Sequence, residues 1–212
     1  MTMKERPILF SGLMVRAILD GRKTQTRRII KPQPSMVHFG DHEALGWEGN
    51  ICADGWLGVG VSRVKEWANY LKCPYGKPGD RLWVRETWAP MSTFDPSPET
   101  GAVYKADNYP SQSVIACKWK PSIHMPRWAS RITLEITGVR VERLHDISEA
   151  DAMAEGVERI DLSPRKINGM QVHPLKSSYF AAFMELWRSI NGPESWAANP
   201  WVWVVEFRRC EQ

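Results

Sequence analysis

The sequence predicts an α+β fold in which a small mixed β-barrel carries flanking helices and loop insertions. Ile132, Leu134 and Ile136 alternate, and Val139 and Val141 continue in the opposite parity across Gly138. That flip marks a glycine bulge in one long bent strand, the device by which a small barrel closes on itself. Trp201, Trp203, Val205 and Phe207 alternate with Val202, Val204 and Glu206 as a second strand, largely buried. Tyr179, Phe183, Leu186, Trp187 and Ile190 form one apolar stripe at helical spacing, stopped by Asn191-Gly192-Pro193, and read as core.

A chain of 212 residues has room for one sizeable core and little more. The reading is therefore a single domain over 1–212, with insertions at about 32–76, 89–118 and 158–174. The formal net charge of +4 suits an anionic or nucleotide-like ligand without requiring a long nucleic-acid footprint. Cys52, Cys73, Cys117 and Cys210 are scattered, with no Cys-x-x-Cys pair, which argues against a metal site and for reduced thiols. The N-terminus lacks the apolar region of a signal peptide, and no run approaches the roughly eighteen apolar residues of a membrane helix. A cytoplasmic protein with no membrane partner is expected.

In chain order, Pro7-Ile8-Leu9-Phe10 reads as a short strand and Ser11 as a helix N-cap. Leu13, Met14, Ala17 and Ile18 recur at helical spacing until Gly21 stops the helix. The stretch that follows, Arg22-Lys23-Thr24-Gln25-Thr26-Arg27-Arg28, places a lysine near two hydroxyls and three arginines. A neutral lysine activates a hydroxyl when burial or neighbouring positive charge lowers its pKa, and Arg22, Arg27 and Arg28 supply such charge. Pairing Lys23 with Thr26 requires Lys23 to remain in the turn while Thr26 has entered a strand. Thr24 is the competing hydroxyl, and spacing does not choose between them.

Gly46–Cys52 and Gly55–Val59 have the pattern of a small hairpin, and Val64, Trp67, Ala68 and Leu71 that of a short helix. Lys77-Pro78-Gly79-Asp80 predicts a type II turn into a strand over Arg81–Trp88. In that strand Leu82, Val84 and Glu86 share one face, while Arg81, Trp83, Arg85 and Thr87 share the other. For Glu86, an ion pair with a nearby arginine competes with a part in chemistry. Ala102–Lys105 reads as a further strand. Trp119–Trp128 is too rich in proline for helix and reads as an extended loop over a ligand, giving His124 a binding role. Ser148 is an N-cap with Asp151 at the capping-box distance, and the helix ends at Gly156. Glu155 falls in its last turn, where the dipole raises a carboxyl pKa, a useful property in a proton donor.

The opening helix, the Gly21-x-Lys23-x-x-Thr26-x-Arg28 pattern, the Pro78-Gly79-Asp80 turn into a strand and the closing Val202-Trp203-Val204-Val205-Glu206-Phe207 together resemble the ASCH domain of the PUA-like superfamily. The fold this implies is a PUA-like mixed β-barrel. The usual ASCH signature has glutamate where this chain has Thr26. A bacterial branch with threonine there resembles acetylcytidine amidohydrolases, in which the lysine, the threonine and a downstream glutamate are catalytic. The resemblance carries these roles onto Lys23, Thr26 and Glu155. The chain also resembles prophage-encoded ASCH-like proteins over nearly its whole length, whereas the amidohydrolase likeness covers the barrel segments.

What the resemblance implies is amide hydrolysis on a modified cytidine-like nucleoside or base, with no metal and no cofactor. Lys23 deprotonates Thr26, Glu155 protonates the departing exocyclic nitrogen, and Arg28 or backbone amides hold the oxyanion. Arg28, Arg85, Glu86, Trp88, Trp119 and His124 are the expected substrate-binding residues. In the alternative, the same cleft binds RNA or single-stranded DNA as a PUA-like module of phage origin, with or without ribonuclease activity.

Overall fold

Ser11 turns the chain from β1 (Glu5–Leu9) into α1 (Gly12–Leu19), its Oγ accepting from the Met14 amide at 3.5 Å. This computed structural model describes residues 3–33, 56–58, 70–91, 101–107, 118–159, 165–167, 170–172 and 178–210. Past α1, Gly21 takes φ +73°, and the amides of Arg22 and Lys23 both donate to the Ala17 carbonyl, at 2.8 and 2.9 Å. β2 then runs over Gln25–Ile29. Lys23 thus lies in the turn and Thr26 in the strand, as the Lys-Thr pairing requires.

Two short strands, β3 (Trp56–Gly58) and β4 (Tyr70–Lys72), pair with each other. The first half of the hairpin expected at 46–59 lies outside the described residues. Of the helix expected at 64–71, residues 64–69 also lie outside, and Leu71 belongs to β4. The type II turn is present: Gly79 has φ +87°, and the Asp80 amide donates to Lys77 O at 2.9 Å. The Asp80 carboxylate accepts from the amides of Lys4 and Lys77 and from Arg6 Nη1, tying this turn to the start of β1.

β5 (Arg81–Arg85) buries Leu82 and Val84 and leaves Arg81, Trp83 and Arg85 half-exposed. It stops short of Trp88, which begins β6 (Trp88–Pro90), paired with β7 (Ala102–Tyr104). The segment expected to be extended at 119–128 instead forms two 3-10 turns, Ser122–His124 and Arg127–Ala129. Pro121 and Pro126 start them, because a fixed proline φ also suits the first position before a helical turn.

β8 (Thr133–Arg143) is the long bent strand. Against β11 (Trp201–Arg209), Gly138 pairs with Glu206 and Ile136 with Phe207, so Thr137 is the extra residue of a bulge. A β-carbon on Gly138 would lie 2.7 Å from Glu206 Oε2, so a side chain there would displace the Glu206 carboxylate. α2 (Glu149–Ala154) carries the Ser148–Asp151 capping box. β9 (Arg165–Ile167) pairs with β10 (Met170–Val172), and α3 (Tyr179–Asn191) ends at Gly192, φ +94°. The β3–β4 and β9–β10 pairs fall within the expected insertions at 32–76 and 158–174, and the β6–β7 pair begins one residue ahead of the one at 89–118.

The main sheet has the order β1-β5-β8-β11-β2, with β1 and β5 parallel and every other pair antiparallel. Trp203, Val205 and Phe207 of β11 face one core with Phe10, Val15, Leu82 and Leu134; Val202 and Val204 face a second with Leu144, Phe183, Trp187 and Trp196. This explains a strand apolar on both sides. β1 and β2, joined in sequence by α1, are the two edges. Among the described residues no ladder joins them, so the sheet is open and the expected closed barrel is not made by backbone pairing. A side chain spans the gap instead, Arg28 Nη2 donating to Leu9 O at 2.6 Å. No helix among the described residues is long and apolar enough to cross a membrane.

Candidate functional site

The end of α2 is stitched to the Lys23 turn by backbone. Lys23 and Glu155 form an antiparallel bridge, and the Thr24 amide donates to Ala154 O at 2.9 Å. Glu155 caps α2 in right-handed helical conformation, and Gly156 at φ +78° lets the chain leave at once. Thr24 is exposed and Thr26 is 2% exposed, which makes Thr26 the enclosed hydroxyl of the two.

Lys23 Nζ donates to Glu155 Oε2 at 2.7 Å and to Glu155 O at 2.8 Å, and both side chains are closed to solvent. Both hydrogen bonds of the ammonium therefore go to Glu155 rather than to Thr26. Burial lowers the Lys23 pKa; Glu155 opposes this, while Arg28 and Arg27 reinforce it. The positive charge expected to act on Lys23 thus comes from Arg27 and Arg28. Arg22 turns away to Asp20 and the Gly156 carbonyl. For Glu155, the helix dipole is joined by two cations at close range, since Arg27 Nη1 lies 3.5 Å from Oε1.

Arg27 is itself enclosed, its Nη2 lying 3.0 Å from Glu142 Oε2 and 3.5 Å from Asp151 Oδ2. Gln25 Nε2 donates to the backbone and side chain of Asp151. Burial opposes it, yet Ser148, Gln25 and Arg27 hold the Asp151 carboxyl down at about 2. Arg140 completes the group, pairing with Glu142, Glu206 and Asp151.

A cavity of about 300 Å³ opens at the β2 edge. Thr26, Arg27, Arg28 and Glu155 form one wall; Phe183, Leu186, Trp187 and Ile190 of α3 form another, with Met14, Tyr75 and Lys31 around them. The C-terminal half of the α3 stripe, read as core, therefore faces this cavity, and Ile190 is 54% exposed. Phe10 lies beside the site, its ring 5.6 Å from Lys23 Nζ and 5.2 Å from the Arg28 guanidinium. Burial lowers the pKa of Arg28, against the opposing influence of Tyr75 and Glu155. Among the described residues, the buried Nε atoms of Arg27 and Arg28 and the Trp187 Nε1 have no hydrogen-bond partner. A buried donor left unpaired costs about 1–3 kcal/mol.

The other expected binding residues do not line this cavity. Arg85 donates from Nε to Met125 O at 3.1 Å and from Nη2 to Ile123 O, fastening the 3-10 turn. Glu86 is 1% exposed and forms a two-point ion pair with Arg131, which also binds Asp107, so the ion-pair alternative describes it. Trp88 is buried against Met125, Ala129 and the edge of Trp128, which leaves no ring face for a base. His124 is exposed on its turn and Trp119 is half-buried nearby. These side chains build the β6–β7 region. Arg27 was read from sequence only as a source of charge, and Glu142, Asp151, Tyr75 and Trp187 were not read as site residues. Among the described residues, no group of His, Cys, Asp and Glu is arranged to hold a metal.

No protein-family model matches the chain, and neither does any curated protein or solved structure.

Proposed function

We propose that the protein is a metal-independent amidohydrolase that removes an acyl group from the exocyclic amine of a modified cytidine-like nucleoside or base. The observation that carries this reading is the enclosure of one hydroxyl, one amine and one carboxyl together. Thr26 and Glu155 lie on the wall of a single cavity, and Lys23 is bonded to Glu155 behind it. We also read the open sheet as an ASCH-type, PUA-like barrel whose seam between β1 and β2 is made by side chains.

The mechanism starts from the hydrogen-bonded Lys23–Glu155 pair, drawn as ammonium and carboxylate. Transfer of the Lys23 proton to Glu155 gives a neutral amine beside a neutral acid, and the burial that lowers the Lys23 pKa favours this form. The amine then takes the Thr26 proton as Oγ1 bonds to the acyl carbon, and Glu155 gives its proton to the departing nitrogen. The acyl-threonine ester is cleaved by water: the restored carboxylate accepts the water proton and Lys23 returns one to Thr26. Net products are the free amine and a carboxylic acid. Ladder alternation helps as well. Ile30 donates to Trp201 O and Phe207 to Thr24 O, so the even residues of β2 face β11 and the Arg27 amide faces the open edge, beside Thr26. That amide and Arg28 are the donors nearest a developing oxyanion.

The test is conversion of acetylcytidine to cytidine, followed by chromatography. The parent chain yields cytidine, Thr26→Ser retains part of the rate, and Thr26→Ala and Lys23→Ala lose at least about a thousandfold. An unchanged rate in Thr26→Ala refutes the mechanism. The second reading, base or single-strand binding without chemistry, is favoured by one observation, that the Lys23 ammonium is committed to Glu155 rather than Thr26. Absence of product together with salt-dependent RNA or single-stranded DNA binding selects it.

A further inference from the structure

Arg85 and Trp88, expected at the substrate, instead help to form an outer face with the two 3-10 turns. There the Arg85 and Arg127 guanidiniums sit 5.2 and 5.9 Å from the centroid of the half-exposed Trp83 ring. Arg85 is fixed further by the Ile123 and Met125 carbonyls. Trp128, the residue after Arg127, is 36% exposed and meets the Trp88 ring edge-on at 5.5 Å, while Lys120 Nζ lies 5.2 Å from the same ring. The charge on this face is only partly answered. Arg127 pairs with Glu5 at 3.1 Å, but Lys118, Lys120 and Arg85 form no ion pair among the described residues, and residues 118–131 contain no carboxylate. Fastening the turns to β5 requires Arg85. It does not require an exposed Trp128, an exposed Ile123 or two unpaired lysines.

We propose that this face binds single-stranded nucleic acid. Cations alternate with aromatic rings along it, so its partner is an extended anion that also offers flat rings. A single strand has both. A duplex keeps its base faces stacked inside, and an acidic peptide supplies charge without a ring at each repeat. Arg81, Trp83 and Arg85 share one face of β5 at steps of about 6.6 Å, so a chain laid along the strand meets cation, ring and cation in turn. The Arg85 guanidinium, pinned by two carbonyls and the Trp83 ring, is itself a plane on which a base stacks. Leu9, the ladder partner of Arg85, gives its carbonyl to Arg28 at 2.6 Å, so the face ends beside the cavity wall. It lies outside the cavity, and this inference does not depend on the hydrolase reading.

The test is fluorescence anisotropy of the full chain with labelled oligouridylate and oligothymidylate of about twelve nucleotides, and with a duplex of the same length, between about 50 and 200 mM salt. Either single strand binding at least about tenfold more tightly than the duplex, and more weakly as salt rises, supports the proposal, and the two strands separate RNA from DNA as the partner. The surface variant Lys118→Gln/Lys120→Gln/Arg127→Gln is expected to bind at least about tenfold more weakly and with a flatter salt dependence. Trp128→Ala is expected to weaken binding about fivefold or more without changing the salt slope. Arg188→Gln, at the exposed pair with Glu185 on α3, controls for general charge and leaves binding unchanged. The melting temperature of each variant identifies any loss that comes from unfolding, and the triple variant changes surface side chains alone. Equal binding of the duplex, or association with phosphatidylserine vesicles but with neither strand, overturns the proposal. Binding that survives both the triple substitution and Trp128→Ala places the strand elsewhere, the cleft included, and overturns it too. Binding is read without turnover. A chain that holds strands on this face but leaves acetylcytidine intact therefore loses only the hydrolase reading, and one that cleaves it while ignoring strands loses only this one.

Discussion

Gly156 and Lys23 pack so closely that no side chain fits between them: a β-carbon on Gly156 would lie 2.6 Å from Lys23 Cβ and 2.8 Å from Ala17 Cβ. Gly156 also has φ +78°, which L side chains rarely adopt. Gly156→Ala combines backbone strain with overpacking, and we expect a loss of about 2–5 kcal/mol in urea denaturation. Gly21, at φ +73° with nothing within 4 Å, isolates the backbone contribution, and Gly21→Ala costs about 1–2 kcal/mol. Equal losses at the two positions would refute the close contact.

The Lys23–Glu155 pair is closed to solvent, so removing one partner strands the other. Glu155→Leu leaves the Lys23 ammonium facing Arg27 and Arg28 and is expected to destabilise the fold by about 3–5 kcal/mol. Adding Lys23→Met restores part of that loss, because both charges are then gone. The check is a double-mutant cycle by chemical denaturation, and strict additivity would show that the two groups are not coupled.

Asp151 sets an acid limit on stability. Its carboxyl is held at about 2 in the folded chain against about 3.9 when unfolded. A depressed folded value contributes stability above the unfolded pKa, and that contribution is lost as pH falls through the window from about 4 to 2. The parent chain should therefore lose melting temperature more steeply than Asp151→Asn across this window. Parallel profiles would contradict the assignment.

Arg131 neutralises Glu86, whose carboxyl burial pushes up while Arg131 holds it down. Arg131→Met leaves that carboxylate buried and unpaired, at an expected cost of about 3–5 kcal/mol near pH 7. A carboxyl raised in the fold is relieved on protonation, so the deficit should shrink as pH falls toward about 4.3. A deficit independent of pH would assign the loss to packing against Tyr104, over which the Arg131 guanidinium sits at 3.9 Å.

Local sequence signals were sufficient for the helix caps at Ser11 and Ser148, the turn at Gly79 and the bulge beside Gly138, since each depends on residues within a few positions of one another. Lys23, Arg28 and Glu155 were legible by residue type and place, but spacing did not choose between Thr24 and Thr26, which differ in the fold because Thr26 is enclosed and Thr24 exposed. Arg85, Glu86 and Trp88 show where such reading stops. Period-two alternation places a side chain on a face of a strand, but it does not say what covers that face, and here the covering segments are the 3-10 turns and Arg131. The same limit hid Trp187. An apolar helix stripe has one appearance in sequence whether it meets a packed sheet or a cavity wall. Asp151 was visible only as a capping residue, because its partners Gln25, Arg27 and Arg140 come from elsewhere in the chain.

The strand order has a consequence for synthesis. Thr26 belongs to a strand whose ladder partner, Val205, is made 179 residues later, and between them the ribosome also produces Glu155 and all of α3. At translation rates of about 5–20 residues per second, the stretch around Lys23 exists for roughly 10–35 s before the segment that orders it is complete. During that interval the basic stretch gains its carboxylates, Glu142, Asp151 and Glu155, before it gains the strand that pairs with it. A nascent chain that stalls before β11 therefore holds Lys23, Thr26 and Glu155 without the ladder that fixes β2 in the sheet.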